Sequence, residues 1–316
     1  MRQIGRLIGG VLATLLLASL LIFVALRVMP GDSAQVALGV NATPEALDAW
    51  RATHGTDRSL IVQYVSWMAS LVTGDFGTSF VTGRALTPLI VDRLQVTLIL
   101  VGLGMLVAVI VAVPLGALAA VTSRNVAGAV ISGLSQLGVA VPSFLVGVVL
   151  VALFAVRLGW LPAGGWVPPA AGVGQFAARV VLPVIALGSV QAAVLTRYVR
   201  SSVIDVADTD YLRTTQAVGF TRMAALFRFG LRNAAIPVVT VVGVQLAAML
   251  IGAVVVERVF LIPGLGSMLV DAVSQRDLLA VQGIVMVLVT VVVVINICVD
   301  LLYRLIDPRL RLGGAR

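Results

Sequence analysis

No lysine occurs anywhere in the 316 residues, and the chain holds one cysteine, one histidine and 14 acidic residues. Without lysine there is no P-loop, whose Gly-Lys-Ser/Thr holds nucleotide phosphates, and no Schiff-base chemistry. A lone Cys298 inside an apolar run excludes an internal disulfide. A lone His54 leaves no histidine metal cluster and no Ser/His pair within the apolar segments. Charge itself is scarce. Only 11% of residues carry it, against about a quarter in soluble domains, while 60% are hydrophobic and the mean hydropathy is +1.09. These numbers define an integral membrane protein, and the apolar runs below read it as all-α. The net charge of +8 rests on 22 arginines. Nucleic acid is one use for such a balance, but the arginine distribution fits membrane orientation instead, and no nucleic-acid partner is expected.

Apolar runs of about 20 residues mark transmembrane helices. Six are predicted, at residues 7–29, 96–121, 129–156, 180–196, 235–256 and 281–303 of one transmembrane domain, 1–316. The first follows Arg2 and Arg6 as a signal peptide would. Its apolar run exceeds a signal core and no cleavage site follows, so it reads as a retained span. With both termini inside, thirteen arginines fall on the cytoplasmic side and five at the short outer edges, so the positive-inside rule predicts an N-in, C-in protein.

The segment 30–93 reads as a folded extracytoplasmic loop. Thr43-Pro44-Glu45 has the N-cap, N1 and N2 pattern of a helix ending near His54-Gly55. His54 then sits in a last helical turn, where the dipole favours an imidazole. A second helix is predicted from Leu60 to Val72, and Trp50 and Trp67 suit a membrane interface. The deeper polar groups, Gln136, Gln191, Gln245 and Asn296, read first as helix-to-helix hydrogen bonds.

The cytoplasmic segment 197–234 holds six of the arginines and is patterned as two helices. Asp208-Thr209-Asp210 offers an N-cap and first-turn acids, Gly219 a helix stop, and Thr221 a cap for the next helix. Taken alone, these arginines also fit a role limited to topology and lipid headgroups. A loop this long and this patterned is more than topology requires.

The stretch DYLRTTQAVGFTRMAALFRFGLRNAAIPVVT resembles the cytoplasmic EAA loop of ATP-binding-cassette importer permeases, in the form of the dipeptide, oligopeptide and nickel group. Asp210, Tyr211, Arg213, Thr214, Gly219, Leu231, Arg232, Asn233, Ala234 and Pro237 fall in register, with Thr215 in place of the usual alanine. RVMPGDSA, QYVSWMASLVTGDFGTS, LGWLPAGG, VVVERVFLIPGLGSMLVDAV and VDLLYRLIDPRLR extend the resemblance over nearly the whole chain.

The resemblance implies a type I importer permease fold in a prokaryotic cell membrane, without enzymatic activity of its own. It implies lipid contact and three kinds of protein partner: a second homologous permease, two cytoplasmic ATPases and an extracytoplasmic solute-binding protein. No cofactor is implied in this chain, since ATP and Mg would be held by the ATPases. Asp208, Asp210, Tyr211, Arg213, Thr214, Thr215, Gly219 and Arg222 are the expected ATPase-coupling residues, and Arg232, Asn233 and Pro237 the expected hinge. Asp48 and Asp57 in the outer loop, with Pro263, Gly264 and Gly266 of the PGLG turn, are expected to help receive the binding protein.

Overall fold

The computed structural model describes residues 2–28, 32–39 and 41–306, with some helical side chains outside that description, including those of Arg222 and Arg232. The described residues are almost wholly helical. They divide into two compact units, one made of residues 1–96 and 264–293, the other of residues 97–263 and 294–316.

The first unit opens with helix α1 (Arg2–Val28), whose leucines at 12, 16, 17, 20 and 21 are exposed as lipid contact requires. A short helix α2 (Ser33–Leu38) follows, capped by the Asp32 carboxylate, which accepts from the Ala34 amide at 3.0 Å. Helix α3 (Pro44–His54) has the predicted ends. Thr43 Oγ1 accepts from the Ala46 amide at 3.3 Å, and Gly55 closes the helix at φ 65°. His54 stacks on Trp50 with ring centroids 4.0 Å apart, and its Nδ1 lies 2.9 Å from the Trp50 carbonyl, which accounts for it structurally.

Helix α4 (Leu60–Val72) also has the predicted bounds. It packs Tyr64 and Trp67 against Phe23 of α1, with the Ser19 and Tyr64 hydroxyls hydrogen-bonded at 2.9 Å. Asp75 then turns the chain, its carboxylate accepting from the Gly77 amide at 2.8 Å. The same unit contains the first turns of α5 (Leu86–Val121), helix α12 (Leu265–Ser274) and the first half of α13 (Leu278–Ile306). Asp277 caps α13 through the Ala280 amide, and its buried carboxylate also accepts from Ser79 Oγ at 2.5 Å and the Phe80 amide at 3.3 Å.

In the second unit, α8 (Val173–Ala207) packs on α6 (Val126–Ala140), α7 (Ser143–Leu150) and α11 (Leu231–Val259). Small residues set the approach. A Cβ at Gly188 would lie 2.7 Å from the Gly104 carbonyl oxygen, and one at Gly116 would lie 2.8 Å from that of Thr196. Gln245 Nε2 donates to Gln191 Oε1 at 2.5 Å, so two of the deep polar groups do join α8 to α11. Thr97 Oγ1 donates to Glu257 Oε1 at 2.6 Å, and Glu257 is fully buried.

Three boundaries differ from the sequence reading. Helix α5 starts at Leu86, ten residues before the predicted span, because Pro88 falls in a first turn where no N–H is needed. Helix α8 runs on through Arg197 and Arg200 to Ala207, so the expected cytoplasmic loop begins as a continuation of the fourth span. The third span is broken. α6 and the segment from Ser143 to Arg157, whose end is π-helical, meet at a bend of 97° at Val141 and Pro142.

The bent pair nonetheless tracks along α8. Gly138 lies against Ala193, Gly147 against Ala186, and past the helix the Gly164 carbonyl accepts from Arg179 at 2.7 Å. The contacts move steadily toward the start of α8, so the pair is one broken crossing, not a re-entrant loop. Five unbroken helices and this pair give six crossings by length and composition.

Candidate functional site

The ends of α5, α8 and α11 that meet at residues 120, 203 and 234 carry the helical hairpin of residues 208–230. Asp208 closes α8, its amide donating to the Ile204 carbonyl at 3.2 Å. Thr209 precedes helix α9 (Asp210–Ala217), but its hydroxyl turns back to the Val206 carbonyl at 2.6 Å instead of capping α9. Thr214 and Thr215 bond the carbonyls of Asp210 and Tyr211, one turn back. Asp210 and Arg213 form an exposed ion pair at 3.7 Å, a contact of little energetic weight.

One side chain holds α9 down. Leu212 is 2% exposed and packs among Ala120, Val199, Val203, Ala225, Leu226 and Ala234. Above it the Tyr211 hydroxyl accepts from Asn233 Nδ2 at 2.9 Å, which ties α9 to the first turn of α11. Pro237, one turn further along α11, has no N–H to offer the Asn233 carbonyl, so the helix lacks a rung where this tie is made.

Gly219 ends α9 at φ 106°. The Phe220 amide reaches back to the Thr215 carbonyl at 3.4 Å and the Gly219 amide to Gln216 at 3.0 Å, the paired bonds of a Schellman stop. Thr221 Oγ1 accepts from the Ala224 amide at 3.3 Å at the start of α10 (Arg222–Ala225). A π-helical stretch, Leu226–Gly230, leads into α11. Phe220 and Phe229 meet edge to face at 5.6 Å, with Arg228 over both rings.

The structure thus brings Asp208, Asp210, Tyr211, Arg213, Thr214, Thr215, Gly219 and Asn233 together around one exposed short helix. Arg222 and Arg232 fall on the same hairpin, with side chains outside the described set. Leu212, which no sequence motif singled out, is the anchor. Its signal was an apolar residue within the charged run, where neighbours are polar.

The expected docking residues differ in exposure. Asp48 accepts from Arg51 at 2.6 Å, and Arg51 also pairs with Asp32. Burial acts to raise the Asp32 pKa, but the Arg51 bonds and charge and the Ala34 amide outweigh it and hold the carboxyl below its usual range. Asp57 is exposed. Gly264 and Gly266 are buried within this chain. Leu265 between them is fully buried. Pro263 is half-buried, and the outward residue of the turn is Leu261, 78% exposed at φ 52°.

An almost wholly helical chain with long apolar spans, three of which end on an exposed helical hairpin, has the architecture of a membrane transport permease. Residues 112–312 match the family described as "Binding-protein-dependent transport system inner membrane component", and residues 1–101 match its N-terminal region. The chain belongs to that family, and it is the permease component of an ATP-binding-cassette importer of the inner membrane.

It is 36% identical over 306 residues to a probable peptide ABC transporter permease of Sinorhizobium fredii, with 97% of this chain and 98% of the relative covered. It is 37% identical to a glutathione transport system permease of Salmonella choleraesuis, with 96% of each covered. A Bacillus subtilis oligopeptide transport system permease is 35% identical, with 92% and 93% covered. Among solved structures, the inward-facing MetNI methionine ABC transporter is similar, with a TM-score of 0.57 at 17% identity, covering 69% of this chain and 96% of the other. That likeness speaks to fold alone.

As a family member the chain works with cytoplasmic ATPase subunits and an extracytoplasmic binding protein. It has no catalytic site or cofactor of its own.

Proposed function

We propose that this permease forms half of a peptide pathway with a second, homologous permease, and that α9 is the helix through which two MgATP-binding ATPases drive it. Relatives along almost the full length are named for peptides, oligopeptides or glutathione. The observation that carries the coupling role is the build of α9: exposed outside, seated by Leu212, stopped by Gly219 and tied to α11 through Tyr211 and Asn233. A push on such a helix moves as a rigid body, and the proline-interrupted first turns of α11 absorb the change of angle. Substrate release then follows from different affinities in the two states.

Two measurements test this reading. A cysteine replacing exposed Thr214, in a Cys298→Ser background, should crosslink to the ATPase subunit in membranes. Uptake of labelled dipeptides and oligopeptides, with unlabelled glutathione as competitor, should then separate the substrate classes. No crosslink, with transport intact, would overturn the coupling role.

Orientation is tested on the same background. Ser201→Cys should label only after the membrane is opened, and Ala42→Cys and exposed Ala163→Cys should label in intact cells with an impermeant thiol reagent. Labelling of residue 201 from outside would reverse the N-in reading. The outer loop has its own test. Asp57→Arg, at an exposed carboxylate outside the Arg51 cluster, should weaken binding of the loaded solute-binding protein several-fold, about what loss of a charge pair at an interface edge costs. Basal ATPase activity of the complex should not change. Unchanged affinity would leave the loop a scaffold.

A further inference from the structure

Within the first unit, a cavity of about 350 Å³ opens between the last turn of α1, the end of α3, one face of α4 and the start of α13. Its charges are unequal. Arg27 and Arg58 line it, and neither has a carboxylate partner among the described residues. The guanidinium of Arg27 instead lies 5.2 Å from the centre of the Phe23 ring. The one carboxylate on the wall, Asp75, already accepts from the Gly77 amide.

The wall also carries unused hydrogen-bonding groups. Gln63 donates through Nε2 to the Thr56 and Arg58 carbonyls at 3.0 and 2.7 Å, which leaves Oε1 without a partner. Thr56 Oγ1 and Gln282 Nε2 are also buried without a partner among the described residues, and Gln282 is only 5% exposed. Buried polar groups are rarely left unpaired. This wall therefore suits a ligand that combines an anionic oxygen with a hydroxyl or ammonium donor.

Depth narrows the class. Arg27 is in the last turn of a 21-residue apolar span, Ile8–Val28, which puts it at headgroup level in that leaflet. Helix α4, which supplies Gln63 and Trp67, exposes Leu60, Ile61, Val65 and Val72, an apolar face that belongs at a lipid surface. We propose that this cavity binds the headgroup of a phospholipid, with the phosphate on Arg27 and Arg58 and the headgroup's donor toward Gln63 Oε1. The bound lipid joins α1 to the folded loop of residues 41–80.

The test uses the assembled importer, stripped of lipid in detergent and titrated with dioleoylphosphatidylglycerol, with bound lipid counted by native mass spectrometry. Arg27→Ala/Arg58→Ala should bind phosphatidylglycerol about a hundred-fold more weakly, as loss of two charged hydrogen bonds predicts. Arg84→Ala, an exposed arginine off the cavity wall, should match wild type. Dioleoylglycerol, with the same tails and no phosphate, should not be retained. If the double variant fails to assemble, the exposed Arg58→Ala alone should still weaken binding. Equal phosphatidylglycerol binding by wild type and variants would overturn the proposal. So would loss in the variants of tripeptide binding, with lipid retention unchanged, since the cavity would then be a site for soluble peptide carboxylates.

Discussion

Replacing Gly219 with valine should abolish most uptake while the permease still inserts and assembles. The residue ends α9 at φ 106°, a conformation that L side chains rarely adopt. No atom lies within 4 Å of where its Cβ would be, so the whole penalty is backbone strain and none of it is collision. That strain is about 1–2 kcal/mol, more for a β-branched side chain. It is small beside six packed helices but acts on a Schellman stop held by two hydrogen bonds. The expected response is that α9 tilts or frays at its end. Substrate-stimulated ATP hydrolysis then falls together with uptake, or continues uncoupled from it. Gly219→Ala, strained but unbranched, should fall between valine and wild type. Ala224→Ser, exposed on the same hairpin, is the control, because Ala225 beside it is fully buried. Normal uptake by Gly219→Val at normal membrane levels would show that the angle at this stop does not matter.

How much of this was legible in the sequence depended on how local the cause was. Thr43-Pro44 and His54-Gly55 placed both ends of α3 correctly, since capping involves a few neighbouring residues. The same holds for α4 and for the left-handed stop at Gly219. The bend in the third crossing was not read, although Pro142 was visible. Hydropathy averages over the run 129–156 and does not register a backbone break. Proline alone does not signal one either, for Pro114, Pro183 and Pro237 all lie inside continuous helices. What distinguishes the break is the extended Val141 before Pro142, at ψ 122°.

Contacts between distant residues were beyond the sequence altogether. Asp277 with Ser79, and Thr97 with Glu257, join positions more than 150 residues apart. The cavity wall is similar, since Arg27, Gln63 and Gln282 come from three separate helices. Burial at the PGLG turn was not legible either: Gly264 and Gly266 are buried, while nearby Leu261 is exposed. At the hairpin the motif residues were identified without the one that seats them.

Leu212 supplies the second large effect. Leu212→Asp places a carboxylate among Ala120, Val199, Val203, Ala225, Leu226 and Ala234, a set of apolar neighbours. An unpaired buried charge costs on the order of 3–5 kcal/mol, more than a helix of eight residues recovers by staying seated. The cheapest relief is for α9 to lift away, and that also strains the Tyr211 to Asn233 bond. α8 and α11 also pack on one another beyond this cluster, at the Gln191 to Gln245 bond among other places, so membrane levels of the protein should hold. The ATPase subunit should no longer copurify at wild-type yield, and uptake should be lost. Leu212→Met, close in volume and still apolar, should cost less than about 1.5 kcal/mol and retain transport. The comparison separates the seat of α9 from its outward residues. If Leu212→Asp abolishes uptake while ATPase copurification stays normal, the helix is needed for transmission but not for attachment. If both stay normal, α9 is held by its partner and Leu212 is not its anchor.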